Sequence, residues 1–406
     1  MDPVPSSTPS SWTGLAGPST SALEPTPADV DGRRRAGHDA AAEGAVAEDR
    51  IAVASNWKLV WWRFRRHRLA LFSAGLLICM YIVVLCPDFF ATQDPQRTDA
   101  RQAFIPVQTL HLFDDGLNPW VPAIVGKRNP VTLRMEWTTD PQRKVHVGFF
   151  TRGQSYRLLG LFETDIHLLG ATDPGQRIFL LGSDRLGRDQ FSRIMFGTQT
   201  SMTVGLVAVT LSVVFGVVLG GISGYFGGLP DQIIQRLIEL LQSVPTIPIW
   251  LALSAALPRD WTPVQVFFAI TVILSLVGWT TLGREVRGRF LALREEDFVL
   301  AARLSGAGRM RIILRHMVPT FLSHIIATSS LAIPVMIINE TSLSFLGLGI
   351  RPPAISWGVL LQEAQNIQTL ALAPWLLLPG VVVIVAVLAF NLVGDGLRDA
   401  SDPYSH

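Results

Sequence analysis

Charged residues are scarce in this 406-residue chain. Aspartate, glutamate, lysine and arginine together make up 16% of it, against roughly 25% in soluble proteins. The deficit lies in five runs without any charged residue and a sixth that carries only His324, namely 69–86, 194–230, 240–258, 261–283, 364–394 and 317–339. A helix needs about 20 apolar residues to cross a bilayer, and a long helix of a soluble protein usually keeps a polar face. The runs therefore predict an all-α polytopic membrane protein with six transmembrane helices.

Cysteine is almost absent, and the groups of an enzyme active site are dispersed. The two cysteines, Cys79 and Cys86, stand in the first apolar run, about 10 Å apart along a helix axis, which is too far for a disulfide. The histidines form no closely spaced pair, and serines near the membrane lack a plausible base. We therefore expect no metal site and no catalytic residues.

The phosphate-binding pattern G-x-x-x-x-G-K-[ST] is also absent. Without that backbone cradle and its lysine, nothing in the chain holds nucleotide phosphates as P-loop enzymes do. The stretch LSGAG at 304–308 looks like part of an ATPase signature, but the missing loop argues against that interpretation. We expect no cofactor in this chain.

The first 55 residues are rich in proline, serine, alanine, glycine and aspartate and lack apolar periodicity, which predicts a disordered tail. Residues 56–90 begin as a basic amphipathic segment and continue into transmembrane helix 1. Eight arginines lie between positions 284 and 315. Because lysine and arginine concentrate on the cytoplasmic side of membrane proteins, we expect the N-terminus, the 284–319 loop and the C-terminal residues 397–406 in the cytoplasm.

Residues 91–180 separate the first two helices and are expected outside, as a small extracytoplasmic insert of β character. Residues 145–150 partly alternate, 151–154 have turn chemistry, and 155–162 can return as the second strand of a hairpin. The insert could receive an external partner, cap a pore or be passive bulk.

Charged residues cluster just before the second transmembrane helix, where residues 181–198 predict an interfacial helix. The spacing suits ion pairs between Arg185 and Asp189 and between Asp189 and Arg193. A lateral brace is the preferred interpretation and a substrate site the alternative for this set: Asp184, Arg185, Arg188, Asp189 and Arg193. A similar brace is predicted between Arg236 and Glu239.

The basic segment 284–319 cannot cross a bilayer, since each arginine at the centre would cost about 2.5–3.5 kcal/mol. Acidic residues at 295–297 favour a helix start, Gly306 and Gly308 break that helix, and 309–318 resume it as a basic amphipathic helix. The bend at residues 297–311, which we call the elbow, either holds lipid headgroups with its arginines or offers its small residues as a docking face to another protein.

Glu340 is the one acid deep in a predicted membrane helix, and such residues are functional candidates. It either lines a pore or, with Thr341 and Ser342 next to it, makes a structural hydrogen bond at a helix end. Pro245 and Pro334 are predicted to kink their helices, which serves gating or is merely tolerated.

The elbow resembles the EAA loop of bacterial ABC importer permeases. Ala301 and Ala302 are followed four residues later by Gly306, and the loop closes at 317–319 with Met-Val-Pro. Leu300 replaces the leading acid of the motif, so no salt bridge is expected from that position.

Further blocks stand in the order typical of the C-type permease subunit of dipeptide and oligopeptide importers. They are LGSDRLGRD at 181–189, GYFGG at 224–228, ETSLSFLGLG at 340–349 and FNLVGDGLRD at 390–399. The resemblance covers residues 57–95 and 177–403, whereas the long insert departs from the common pattern.

The resemblance implies the type I ABC importer permease fold, with a core at 199–396, in a bacterial inner membrane. It implies a homologous B-type permease subunit, two cytoplasmic ATPases that bind ATP and Mg²⁺, an extracytoplasmic binding protein, surrounding lipid and a peptide substrate, with no nucleic acid. Alternating access would be driven through the 297–316 loop, whose coupling residues are Asp297, Phe298, Ala301, Ala302, Arg303, Gly306, Ala307, Arg309 and Arg311.

Two alternatives remain open. The same machinery can import nickel, glutathione or a sugar. A self-sufficient secondary transporter would normally show more spans or internal repeats.

Overall fold

The computed structural model describes residues 56–112, 118–131, 135–173, 175–258 and 260–401. The predicted tail at 1–55 lies outside these residues, as does 402–406 of the predicted C-terminal segment. The described residues from Val60 onward belong to one compact unit.

Helices make up most of the described chain. They are α1 (Asn56–Arg66), α2 (Arg68–Leu85), α3 (Gln190–Phe226), α4 (Gly228–Ser243), α5 (Thr246–Ala255), α6 (Pro263–Leu293), α7 (Asp297–Leu304), α8 (Leu322–Phe345), α9 (Trp357–Gln362), α10 (Ile367–Leu372) and α11 (Leu378–Ser401). Short helical turns occupy Pro87–Phe90, Ala100–Gln102, Arg309–Arg311, Val318–Thr320, Glu363–Gln365 and Pro374–Leu377, and Ile312–Met317 is a π-helix.

Five of the described helices, α2, α3, α6, α8 and α11, are long and apolar enough to cross a membrane, the last together with the short turn before it. The pair α4 and α5 adds a sixth if it is counted as one broken span. The described chain thus carries five or six spans, in line with the six that the sequence predicts.

The third predicted span is broken rather than continuous. Helices α4 and α5 meet at an angle of 88° across Val244 and Pro245. Proline lacks the N–H that would continue the ladder and disfavours helical backbone in the residue before it, so the predicted kink at Pro245 is confirmed. Helix α8 runs through Pro334 without a break, so no interruption occurs there.

Helices α3 and α6 form the most extensive helix pair of the described chain. A methyl group on Gly224 would lie 2.6 Å from Phe290 Cβ and 2.7 Å from the Arg287 carbonyl oxygen. Only glycine therefore lets the last turns of the two helices approach this closely.

Helix length corrects the predicted loop at 284–319 and adds detail to the predicted C-terminal segment. With 31 residues, α6 is about 47 Å long, well beyond the roughly 30 Å of the hydrocarbon core. The first ten residues of the predicted 284–319 loop are its last turns, because Arg, Glu, Leu and Ala favour helix even outside the membrane. Likewise α11 continues to Ser401, so the predicted terminus at 397–406 begins as helix.

The predicted interfacial helix at 181–198 is wrong. Residues 181–189 form turns in which Gly182 (φ +76°) and Gly187 (φ +71°) adopt left-handed backbone, which glycine alone adopts readily. Asp189 then caps the first turn of α3, its side chain accepting a hydrogen bond from the Ser192 N–H. Residues 190–198 thus belong to one 37-residue helix.

The insert contains the expected β structure, an antiparallel sheet of β1 (Trp120–Arg128), β2 (Met135–Leu158) and β3 (Phe162–Ala171) in that order. The predicted turn at 151–154 is wrong. The chain continues there as β2, with an irregularity between Arg152 and Tyr156, and turns only at Leu159 (φ +52°) and Gly160 (φ +71°). Thr151 and Arg152 pair with β3, and the residues between Arg152 and Tyr156 form a bulge inside a long strand.

The insert is attached to the short helical turn Pro87–Phe90 that follows α2 and to the residue after that turn. The His167 side chain on β3 is buried, and its Nδ1 lies 2.8 Å from the Asp88 carbonyl oxygen and 2.9 Å from that of Ala91. Arg177, in the segment that leads to α3, donates through Nε to Gln93 Oε1 at 2.5 Å. The sheet is therefore fixed to the helical bundle at both of its connections.

Candidate functional site

The elbow, residues 297–311, begins with α7 and turns sharply at its end. Ser305 N donates to the Ala301 carbonyl at 2.9 Å and Ala307 N to that of Ala302 at 3.0 Å. Gly306 follows the cap with φ +76°, the left-handed conformation with which many helices end. The predicted order of a short helix, a glycine turn and a second helical segment is confirmed, although Ile312–Met317 within that segment is a π-helix.

One side chain anchors α7 to the rest of the chain. Val299 is fully buried in a cluster with Tyr225 of α3, Phe290 of α6 and Ile312 and Met317 of the π-helix. The coupling residues predicted from the resemblance lie together around the turn, with Ala302 and Ala307 half-buried and the others exposed.

The elbow exposes an apolar surface. Leu304 is 90% exposed, and the other large apolar side chains left open on or next to the elbow are Phe298, Leu300, Met310 and Leu314. The small Ala301 and the Gly306 turn lie between them and are also exposed. Exposed apolar side chains grouped in this way are typical of an interaction site. It lies at the end of α3 opposite the insert.

Two arginines flank the glycine turn and face aromatic rings of this same chain. The Arg303 guanidinium lies 5.2 Å from the centre of the Tyr225 ring, and that of Arg309 lies 5.6 Å from the centre of the Phe226 ring. Both distances are within the range of cation–π attraction. These arginines contact the last turn of α3.

A buried charge network lies at the opposite end of α3. Asp184 is fully buried, and its Oδ2 accepts from Arg188 Nε at 2.6 Å and from Arg193 Nη1 at 2.5 Å. Glu363 Oε1 accepts from the same two arginines, at 2.6 Å from Arg188 Nη2 and 3.0 Å from Arg193 Nη2. We call these four residues the Glu363 network. Two carboxylates compensate two guanidinium groups, the pairing that buried charges require.

The network corrects the predicted ion pairs. Arg185 is exposed, and Asp189 binds neither Arg185 nor Arg193. Asp189 Oδ2 instead accepts from Ser192 Oγ at 2.6 Å and from Thr92 Oγ1 at 3.0 Å. The i,i+4 spacing does not apply because residues 181–189 are not helical. Burial raises the pKa of the Asp189 carboxyl.

Glu340 faces the interior of this chain. It is fully buried and accepts hydrogen bonds from Ser201 Oγ of α3 at 2.8 Å and from Ser344 Oγ of α8 at 2.7 Å. The Trp357 N–H donates to the same Ser201 hydroxyl at 3.1 Å, so the group joins α3, α8 and α9. This geometry favours the structural interpretation of Glu340. Ser342, the neighbouring residue predicted with it, is exposed.

An ion pair that sequence reasoning missed joins α4 to α6. Arg287 donates to both carboxylate oxygens of Asp231, from Nε at 2.6 Å and Nη2 at 2.7 Å, and Ser223 Oγ donates to Oδ1 at 2.5 Å. The predicted pair of Arg236 and Glu239 is present at 2.6 Å but is largely exposed, so it contributes little stability.

Two family models match the chain. Residues 216–404 match the binding-protein-dependent transport system inner membrane component, and residues 55–106 match the N-terminal TM domain of oligopeptide transport permease C. The oligopeptide transport system permease protein OppC of Bacillus subtilis (strain 168) is 36% identical over 238 residues, which is 58% of this chain and 75% of that protein. The chain belongs to this family of ABC transporter permeases.

Two further relatives of this permease are named for different substrates. The dipeptide transport system permease protein DppC of Alkalihalophilus pseudofirmus is 39% identical over 55% of the chain and 71% of that protein. The glutathione transport system permease protein GsiD of Pectobacterium atrosepticum is 40% identical over 55% and 72%. A solved structure of the MetNI methionine ABC transporter in an inward-facing conformation overlaps 51% of this chain and 96% of its own chain, at 17% identity and a TM-score of 0.41.

The two family models match separate stretches of the permease and leave the residues between them unmatched. The elbow, Glu340 and the Asp231–Arg287 pair all lie within the larger family match. Neither family model spans residues 107–215, which include the sheet and three residues of the Glu363 network. The insert is therefore a feature of this multi-pass membrane protein that the family models do not contain.

Proposed function

We propose that this chain is one of two permease subunits of an ATP-driven importer of dipeptides and oligopeptides. A homologous B-type permease would complete the translocation pathway, and two cytoplasmic ATPase subunits would bind ATP and Mg²⁺ and hydrolyse the ATP. The exposed apolar surface of the elbow carries the proposal, because it is accessible in the isolated chain and fits a protein partner.

The shape of the elbow suits insertion into a groove. Ala301 and Gly306 present no bulk beyond a methyl group, so a partner backbone can approach α7 closely. Phe298 and Leu304 stand beside them as apolar anchors, and arginines surround the patch. Of the two interpretations of the elbow, docking to a protein is thus favoured over lipid binding alone.

The orientation follows from charge. Arginines concentrate at the elbow end of the bundle, and the cytoplasmic side is the one that carries such an excess. We place the elbow and both termini in the cytoplasm of a bacterial cell. The insert then lies on the outer side, where a substrate-binding protein delivers cargo.

The substrate class rests on the relatives. The names of the three relatives above specify oligopeptides, dipeptides and glutathione as substrates. Two of these substrates are dipeptides or oligopeptides, and they are the class proposed for this chain. Glutathione uptake without uptake of dipeptides or oligopeptides would contradict that choice and leave the importer assignment intact.

Co-purification and transport test the proposal together. The tagged full chain is expressed with its neighbouring permease and ATPase genes, purified and placed in lipid vesicles. We expect both ATPases to co-elute and labelled peptide to enter only with ATP and binding protein. Gly306→Trp should abolish ATPase co-elution, while Gly288→Ala, an exposed glycine of α6 with open space around it, should not. Uptake by this chain alone would instead indicate a self-sufficient transporter.

A further inference from the structure

The elbow packs on its own chain through Val299 and the half-buried Ala302 and Ala307, in the cluster that also contains Phe290 of α6 and residues of the π-helix. Val299 is the one fully buried residue of α7. Turns border the helix on both sides, at 294–296 before it and at 305–308 after it. The side-chain contacts of the elbow therefore help to decide which part of the permease moves with it.

Two charged side chains of the elbow reach the end of α3. Arg303 and Arg309 stand on either side of the glycine turn, and their guanidinium groups face Tyr225 and Phe226. The two rings are themselves 5.3 Å apart and edge-to-face. We call this pair the aromatic platform.

The platform is firmly joined to the bundle. Gly224 packs without space against Phe290 and Arg287 of α6. Ser223 shares the carboxylate of Asp231 with Arg287. The platform therefore cannot shift without carrying these last turns of α3 and α6 with it.

Helix α3 then leads without interruption to the other end of the permease. With 37 residues, α3 is about 55 Å long. Its first turn follows Asp189 and carries Arg193, which belongs to the Glu363 network. The covalent path from the elbow to α8 is less regular. It passes through the π-helix Ile312–Met317 and then through Phe321, whose φ of −122° and ψ of 20° are not helical. The turn at 294–296 also joins α7 to α6, whose last turns pack on α3 at Gly224. Of these regular helices, α3 is the one that leads to the Glu363 network.

We infer that Arg303 and Arg309 are positioning residues that hold the elbow on the aromatic platform, so that movement of the elbow is delivered through α3 to the Glu363 network. The inference rests on the proposed function and adds a route to it. It also assigns the two arginines to this chain's own rings, whereas the EAA-loop resemblance assigns them to the ATPase.

A double-mutant cycle in the full chain tests the contact itself. Arg303→Met and Tyr225→Leu are each expected to speed hydrogen exchange of the backbone amides at 301–308 by about two- to fivefold, and the double variant should add nothing. Tyr225→Phe should restore the wild-type rate, because it keeps the ring. Since Tyr225 is buried, Arg309→Met with the more exposed Phe226→Leu provides a second cycle.

The assembled importer tests the consequence. Peptide transported per ATP hydrolysed should fall by about two- to fivefold for either arginine variant, while the ATPases still co-elute. Arg289→Gln, which removes an exposed arginine of α6, should change neither quantity. Additive effects in the cycles, or loss of the ATPases from Arg303→Met, would overturn the inference. If the unaltered complex neither hydrolyses ATP nor transports, the proposed function fails, while hydrogen exchange still judges the contact.

Discussion

Replacing Glu363 by glutamine tests whether the buried charge network holds the start of α3 to the segment that follows α9. Glu363 lies 170 positions beyond Arg193, and its carboxylate accepts from Arg188 Nη2 at 2.6 Å and from Arg193 Nη2 at 3.0 Å. Glu363→Gln removes a negative charge while it keeps the shape of the side chain. Asp184 would then be the one carboxylate left in contact with both guanidinium groups.

The size of the effect follows from burial. The side chain of Arg193 is 1% exposed and that of Glu363 is 11% exposed, so solvent cannot replace the lost carboxylate. Removing one partner from a buried ion pair costs about 3–5 kcal/mol. Glutamine retains one acceptor oxygen, so we expect the lower end, a loss of about 3 kcal/mol in the free energy of unfolding.

The matched control is Glu239→Gln. Glu239 pairs with Arg236 at 2.6 Å, but the two side chains are 59% and 83% exposed, and such pairs contribute about 0–1 kcal/mol. Both variants are compared with the wild-type chain by reversible unfolding in detergent mixtures, followed by tryptophan fluorescence. Equal losses for the two variants would refute the reasoning, since the difference in burial would then have no effect.

Three further predictions concern other parts of the bundle. Glu340→Gln should keep peptide transport within about twofold of wild type, because its carboxyl bonds Ser201 inside this chain; loss of uptake with normal assembly would instead place Glu340 in the pathway. Gly224→Leu should prevent assembly, measured by size-exclusion chromatography, because even a methyl group there would lie 2.6 Å from Phe290 Cβ; a normal elution profile would contradict it. Burial raises the pKa of the Asp189 carboxyl, so the folded chain binds that proton more tightly than the unfolded chain. Stability from this group is complete below the unfolded pKa and is lost as the pH rises through the folded pKa. Asp189→Asn should reduce the dependence of the free energy of unfolding on pH, measured by unfolding titrations at several pH values. An unchanged pH dependence would mean that another group causes it.

The elbow was predictable because its signals are local. Arginine cannot enter the bilayer, and Gly306 and Gly308 break a helix wherever they stand. The spans follow from uncharged runs in the same way, and Pro245 marks the break between α4 and α5. Each of these features depends on residues that are near one another in the sequence.

The partners of buried charges were not predictable. The i,i+4 rule selected Arg185 and Asp189 because it presumes a helix, whereas Gly182 and Gly187 turn the chain in this segment. Glu363 meets Arg193 only after the whole bundle has formed, so no local spacing identifies it. The predicted turn at 151–154 overlaps a bulge between Arg152 and Tyr156, because glycine and polar residues favour both turns and bulges.

The attachment of the insert has a consequence for the substitutions that it tolerates. His167 binds the backbone carbonyls of Asp88 and Ala91 rather than their side chains. Every residue type offers a carbonyl oxygen, so this contact does not depend on which side chains stand at positions 88 and 91. The histidine is the partner whose identity matters, so this contact constrains the sequence of the sheet more than that of the turn after α2.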